Sequence, residues 1–193
     1  NQLLLLEGMI NGMEGRTDLV APENWKSLEN QLKKNGATKG FAEDIAALFG
    51  DAEATQKALA SLTNKTNNKA TKIKSIQLLA ERQKKELIPL LFGLIADEDL
   101  QEEGIKAVAA FDNEKLGKAL LAMYPHTSSE NKIKILQTLA SRPRYGNLLL
   151  DEIKAGNIMK KEIPVTLARQ LHRVIGSGFV EVWGPIEHVP NDE

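Results

Sequence analysis

The chain has 193 residues, no cysteine, 42% apolar and only 5% aromatic residues, and a formal net charge of −1. That length supports a real core, and that apolar content argues against disorder. The missing cysteine excludes disulfides, thiolate metal ligation, a cysteine nucleophile and C-x-x-C-H haem attachment within this segment.

Leu, Ala and Ile carry most of the apolar content, which suits helix-on-helix packing. The longest apolar runs, such as 87–96, are too short to span a bilayer, and Leu3 to Leu6 has no basic region before it. Because the chain begins at Asn1 and Leu3 already reads as mid-helix, a segment of a longer protein is expected. Residues 2–13 form the first predicted helix, ending near Gly12 and Gly15. After a loop from Arg16 to Pro22, a helix over 23–34 places Trp25, Leu28 and Leu32 on one face. Asn35-Gly36 reads as its stop. The next helix, 39–49, ends at a C′ glycine, Gly50, and Asp51 caps a further helix to Leu62.

The clearest pattern follows a polar loop over 63–68. Ile73-Lys74, Ile105-Lys106 and Ile133-Lys134 each open an apolar-periodic run, and each run leads into a second one. The first pair joins Ile73, Ile76, Leu79 and Ala80 to a run over 86–96 that is apolar nearly all round and therefore expected to be the most buried. In the second, Asp97 or Asp99 is the expected cap for a helix bearing Ile105, Val108 and Phe111. Its partner, capped by Asn113, carries Leu116, Ala119, Leu120 and Met123 and breaks at Pro125. The third uses Ile133, Leu136, Leu139 and Ala140, then Leu149 and Ile153, and stops at Gly156-Asn157. A final helix over 162–175 precedes Phe179–Trp183 and Gly184-Pro185. The expected fold is all-α: an α-solenoid, HEAT- or armadillo-like, of about five helical hairpins plus a C-terminal capping helix. It is read as one domain over 1–193, with N-terminal hairpins over 1–66, the clearest repeats over 67–156, a cap and exit over 157–185 and a polar tail over 186–193.

Charge alternates along the chain. Residues 1–62 hold six basic and nine acidic groups; 63–96, seven and two; 97–130, three and eight; 131–180, nine and three; 181–193, four acids alone. Alternating blocks match solvated helix faces better than a continuous phosphate-tracking stripe.

No motif for chemistry stands out. His126, His172 and His188 lie in a loop, a helix and the tail, without a second ligand at metal-binding spacing. There is no phosphate-loop or nucleophile-elbow motif, and Gly176-Ser177-Gly178 reads as a helix stop. No catalytic, cofactor-binding or metal-ligating residue is therefore expected. The candidate interaction residues are Arg142, Arg144 and Tyr145 in a hairpin turn, Arg169, His172 and Arg173 at i, i+3, i+4 on one helix face, and Trp183 outside the regular helices.

The run Leu148-Leu149-Leu150-Asp151-Glu152-Ile153-Lys154-Ala155-Gly156-Asn157-Ile158, then Leu167 to Leu171, then Phe179-Val180-Glu181-Val182-Trp183-Gly184-Pro185, resembles a known segment. It is similar to the helical-repeat region of large multidomain proteins of planctomycetes, verrucomicrobia and some bacteroidetes, labelled membrane-bound dehydrogenases or haem-binding proteins. Leu3-Leu4-Leu5-Leu6-Glu7-Gly8-Met9 also looks like the opening helix of that region. The resemblance implies a β-propeller before the segment and a c-type cytochrome after it, in the cell envelope. Any c-type haem would belong to the parent protein. The implied role is a non-catalytic scaffold whose partners are flanking domains of the same polypeptide or another protein. The alternative, drawn from the basic blocks, is a nucleic-acid-binding HEAT protein such as a solenoid-type DNA glycosylase. That reading predicts a basic groove holding an aromatic and a carboxylate.

Overall fold

A computed structural model describes residues 2–14, 16 and 19–184. The expectations for Gly15, Pro185, His188 and the tail over 186–193 lie outside them. Among the described residues the fold is all-α, with helices, short 3-10 turns and no strand. No helix of the described residues is long and apolar enough to cross a membrane. The chain divides into two compact units, with the boundary after Leu78.

The first unit holds α1 (Gln2–Met13), α2 (Trp25–Lys33) and α3 (Gly36–Thr63). Both α1 and α2 pack on α3. Leu6, Trp25, Leu32, Ala42 and Ile45 form the core, with Ile10, Phe41 and Phe49 against them. Trp25 meets Phe49 edge-on at 5.2 Å, a favourable aromatic geometry. The boundary falls within α4 (Lys69–Glu81).

The second unit continues with α5 (Ile88–Leu94), α6 (Gln101–Val108), α7 (Glu114–Met123), α8 (Ser129–Leu139), α9 (Pro143–Lys154), α10 (Val165–Ile175) and α11 (Ser177–Trp183). Each of α5 to α7 packs on its successor and on the helix two along: α5 on α7, α6 on α8, α7 on α9. Starts and stops follow local chemistry. Asn113 Oδ1 accepts from the Lys115 N–H at 3.0 Å, and Ser128 Oγ accepts from the Asn131 N–H at 3.2 Å. Gly156 ends α9 at φ 77°, a conformation that favours glycine.

Three helix crossings close on a glycine. A methyl added at Gly104 would lie 3.0 Å from the Leu94 carbonyl carbon, at Gly117 2.8 Å from Tyr145 Cδ1, and at Gly146 3.0 Å from Ile175 Cδ1. All three glycines are buried. Their missing side chains let α6 approach the end of α5, α7 approach α9, and α9 approach α10.

Several local expectations change. Gly50-Asp51 does not divide two helices, because α3 runs unbroken from Gly36 to Thr63. Neighbouring alanines favour continuation, and Glu53 pairs with Lys57 one turn on. The helix α2 does end just before Asn35-Gly36, but Asn35 also caps α3, its Oδ1 accepting from the Ala37 N–H at 3.0 Å, so the next helix starts at Gly36 rather than 39. Leu28 is 41% exposed while Glu29 is buried in its place. Lys33 at 2.7 Å and Lys26 at 3.4 Å hold that carboxylate, and the Lys33 hydrogen bond keeps its pKa below the usual range. Asp97 caps a turn through the Asp99 N–H rather than α6. Ile133 is at the surface, and Ile135 takes the core position instead. The run over 86–96 is not buried all round, since Phe92 is 40% exposed.

Candidate interaction site

Arg142, Arg144 and Tyr145 come together at the start of α9, but as a clasp on the preceding hairpin. Pro143 sits in the first turn of α9, where a missing N–H costs little and the chain is set for the helix. This brings all three side chains over the turn between α6 and α7. Arg142 Nε donates to the Ala109 carbonyl at 2.8 Å, and Arg144 Nε pairs with Asp112 at 2.8 Å. Tyr145 is fully buried; its hydroxyl donates to the Phe111 carbonyl at 2.6 Å and accepts from the Asn113 N–H at 3.2 Å. Burial pushes its phenol pKa up, so the ring stays neutral. The next hairpin thus satisfies the Ala109 and Phe111 carbonyls of the turn that follows α6, whose own last carbonyls at Lys106, Ala107 and Val108 accept from the N–H groups of Ala109, Ala110 and Phe111. Tyr145 is a core residue and not a surface anchor.

Arg169, His172 and Arg173 lie on α10, with His172 and Arg173 exposed and Arg169 half-buried. The expectation that Trp183 stands outside the helices is corrected: it closes α11 and is half-buried. Its ring stacks on Phe179 at 5.2 Å, and Phe179 in turn lies 6.1 Å from the His172 ring. Lys160 Nζ stands 5.9 Å over the Trp183 ring and donates to the Trp183 carbonyl at 3.0 Å. His172 and Trp183 therefore belong to one aromatic stack, separate from the Arg142 clasp.

The same cross-hairpin bonding recurs through the second unit. Thr138 Oγ1 donates to the Ile105 carbonyl at 3.1 Å, and Gln170 Nε2 donates to the Ala140 carbonyl at 3.0 Å. Lys134 bridges Glu130 at 2.7 Å and Glu102 at 3.2 Å, and Lys106 lies 2.8 Å from Glu102. Lys106 and Lys134 together hold the Glu102 pKa below the usual carboxylate range. The acidic block over 97–130 and the basic block after it are thus partly interlocked. Tyr124 is buried, and its hydroxyl donates to Glu162 at 3.2 Å; burial and the facing carboxylate push its pKa up to about 12.

Two hollows with aromatic walls stand out among the described residues, and no periodicity in the sequence announces them. In the first unit, Trp25, Phe49, Glu29, Glu53 and Lys26 border one of about 430 Å³. It has the aromatic and the carboxylates of the glycosylase reading but no excess of basic groups. In the second unit, Phe92, Ile95, Ala119, Ala122 and Met123 line an apolar groove of about 460 Å³, with His126 beside it. The available signal was the surplus of apolar residues over 86–96, more than one buried face uses. Among the described residues, no cluster of His, Asp and Glu has the arrangement to hold a metal ion. Comparisons with family models, curated proteins and solved structures give no match.

Proposed function

We propose that this chain is a non-catalytic, HEAT-like repeat module that holds flanking domains or a partner protein. The observation that carries this reading is the packing of α6 on α8 and α7 on α9, with Arg142, Tyr145 and Thr138 bonding each hairpin to the one before. Stacked hairpins of this kind present extended surfaces rather than a single deep site. On the resemblance of its two ends, we place the module in a dehydrogenase- and c-type-cytochrome-containing protein of the cell envelope, with haem held by the parent. The full gene tests this directly. A C-x-x-C-H motif within about a hundred residues downstream, one domain length, is the expected finding. A full-length gene with neither that motif nor a propeller-type domain refutes the redox placement.

The nucleic-acid reading draws on the basic blocks and on the hollow beside Trp25. Against it, Lys134 and Arg144 are already engaged by Glu102, Glu130 and Asp112. Titration with labelled duplex at low salt separates the two. Affinity no better than about millimolar, weaker than ordinary non-specific binding, removes the nucleic-acid reading.

A further inference from the structure

We infer that the groove between α5 and α7 docks the apolar face of a basic amphipathic helix from a partner. The inference rests on the interaction-module reading and gives it a partner chemistry. Phe92 is 40% exposed, the one aromatic among the exposed large apolar side chains of the described residues. Opposite it stand Ala119, Ala122 and Met123. Alanines keep that wall low enough for a helix to approach, and the flexible Met123 adapts to what it meets. This is helix-in-groove geometry, in which a few apolar anchors enter a shallow trough.

Of the groove's polar lining, Gln101 and Thr127 are already occupied. Gln101 Nε2 donates to the Ile95 carbonyl at 3.0 Å, and its Oε1 accepts from Thr127 at 3.1 Å and Asn131 at 2.6 Å. That leaves apolar contact, the exposed His126 ring and rim charge as the means of recognition. The rim takes its negative charge from acidic side chains, because the C-termini of α5 and α7 and the N-terminus of α6 at Gln101 meet here and their partial charges oppose one another. Ala96 and Gln101 both line the groove, so the turn between them borders it, and that turn carries the exposed Asp97, Glu98 and Asp99. The lysines of α7 lie elsewhere: Lys115 and Lys118 border a separate hollow with Glu114, and Lys118 pairs with Glu114 at 2.6 Å. Lys132 stands 5.2 Å over the Tyr124 ring. A basic occupant is therefore the complementary one.

The test is fluorescence anisotropy with a labelled Leu/Lys amphipathic peptide of about fifteen residues, long enough to form a helix on binding. A second peptide carries Glu at every Lys position. The Lys peptide is expected to bind about tenfold tighter or more at low salt and to weaken as salt screens the rim. Ala122→Arg fills the groove from an exposed position, and binding should fall about tenfold or more. Phe92→Ser is the second groove variant, and Glu98→Lys should weaken binding by reversing a rim charge. Circular dichroism checks that each variant is folded. Equal affinity for both peptides, or unchanged binding to both groove variants, overturns the proposal. So does uptake of anilinonaphthalene sulfonate blocked by Ala122→Arg without any peptide binding, which would assign a small-molecule site. A gene lacking C-x-x-C-H removes the redox placement and leaves this test untouched; a failed peptide titration does the reverse.

Discussion

Gly117→Ala isolates the closest helix crossing in the second unit. On propensity alone, alanine in a helix interior is favoured over glycine by ~1 kcal/mol. Here the added methyl would meet Tyr145 Cδ1 and Leu148 Cδ1, both at 2.8 Å, and Tyr145 Cε1 at 3.1 Å. Leu148 is half-buried, and the end of its side chain can swing aside. The Tyr145 ring cannot, because its hydroxyl is held by the Phe111 carbonyl at 2.6 Å and the Asn113 N–H at 3.2 Å. Overpacking of this kind costs ~1–3 kcal/mol. If the ring retreats, a buried carbonyl loses its donor, a further ~1–3 kcal/mol. The net expectation is a loss of ~1–3 kcal/mol, or roughly 4 °C in Tm per kcal/mol for a unit of this size. Urea and thermal denaturation followed by circular dichroism measure it. Gly93→Ala is the control: it lies in α5 of the same unit with open space where its methyl would go, and it should be neutral or stabilising by up to ~1 kcal/mol. In a Tyr145→Phe background the ring is no longer pinned, and the Gly117→Ala penalty should shrink by ~1 kcal/mol. If Gly117→Ala stabilises as Gly93→Ala does, the tight-crossing argument is wrong.

Three further predictions rest on other contacts of the two units. Arg142→Ala should cost ~1–2 kcal/mol, since it strips a charged donor from the half-buried end of α6, whereas Arg144→Ala should change stability by under ~0.5 kcal/mol because its pair with Asp112 is exposed. Equal effects in urea melts would contradict that ranking. Thr55 Oγ1 is buried with no hydrogen-bond partner among the described residues, so Thr55→Val should raise stability by ~1 kcal/mol; a loss would reveal a partner for the hydroxyl. The Glu29 carboxyl titrates below 4.5 when folded, chiefly because Lys33 bonds to its charged form. Its contribution is therefore present above about pH 4.5 and lost as pH falls through the depressed value. In a Trp183→Phe background, Trp25 fluorescence reports the first unit, and Glu29→Gln should flatten the acid limb of its stability profile. An unchanged acid limb counts against the pair.

The helical class is legible because it is written in one dimension. Leu116 and Leu120 recur on one face of α7, Asn113 opens that helix, and Gly156 closes α9. What a single helix's pattern hides depends on its neighbours. Gly50-Asp51 has the chemistry of a helix break, but helix formers on either side carry α3 through it. Glu29 takes a buried position because two lysines on its own helix neutralise it, while Leu28 turns outward. Gly104, Gly117 and Gly146 look like weak points in a helix until the partner helix lies against them. The candidate residues suffered the same ambiguity. Arg142, Arg144 and Tyr145 have the composition of a binding patch, yet their partners lie more than thirty residues upstream, at Ala109 to Asn113. The groove at Phe92 depends on two helices meeting, and no periodicity within either one announces it.

The bonds between hairpins also bear on how the chain avoids folding wrongly. Helices with similar apolar faces can pack in the wrong order or exchange between molecules. Apolar faces alone discriminate poorly among neighbours of like shape. Lys134 finds two carboxylates only when α8 lies on α6, and the Tyr145 hydroxyl is satisfied only when α9 follows the turn at Phe111. A hairpin docked out of sequence would bury that hydroxyl without its acceptor and leave the charges facing the wrong block. The buried Tyr145 hydroxyl and the half-buried Lys134 thus favour the packing order seen here, with α8 on α6 and α9 on α7.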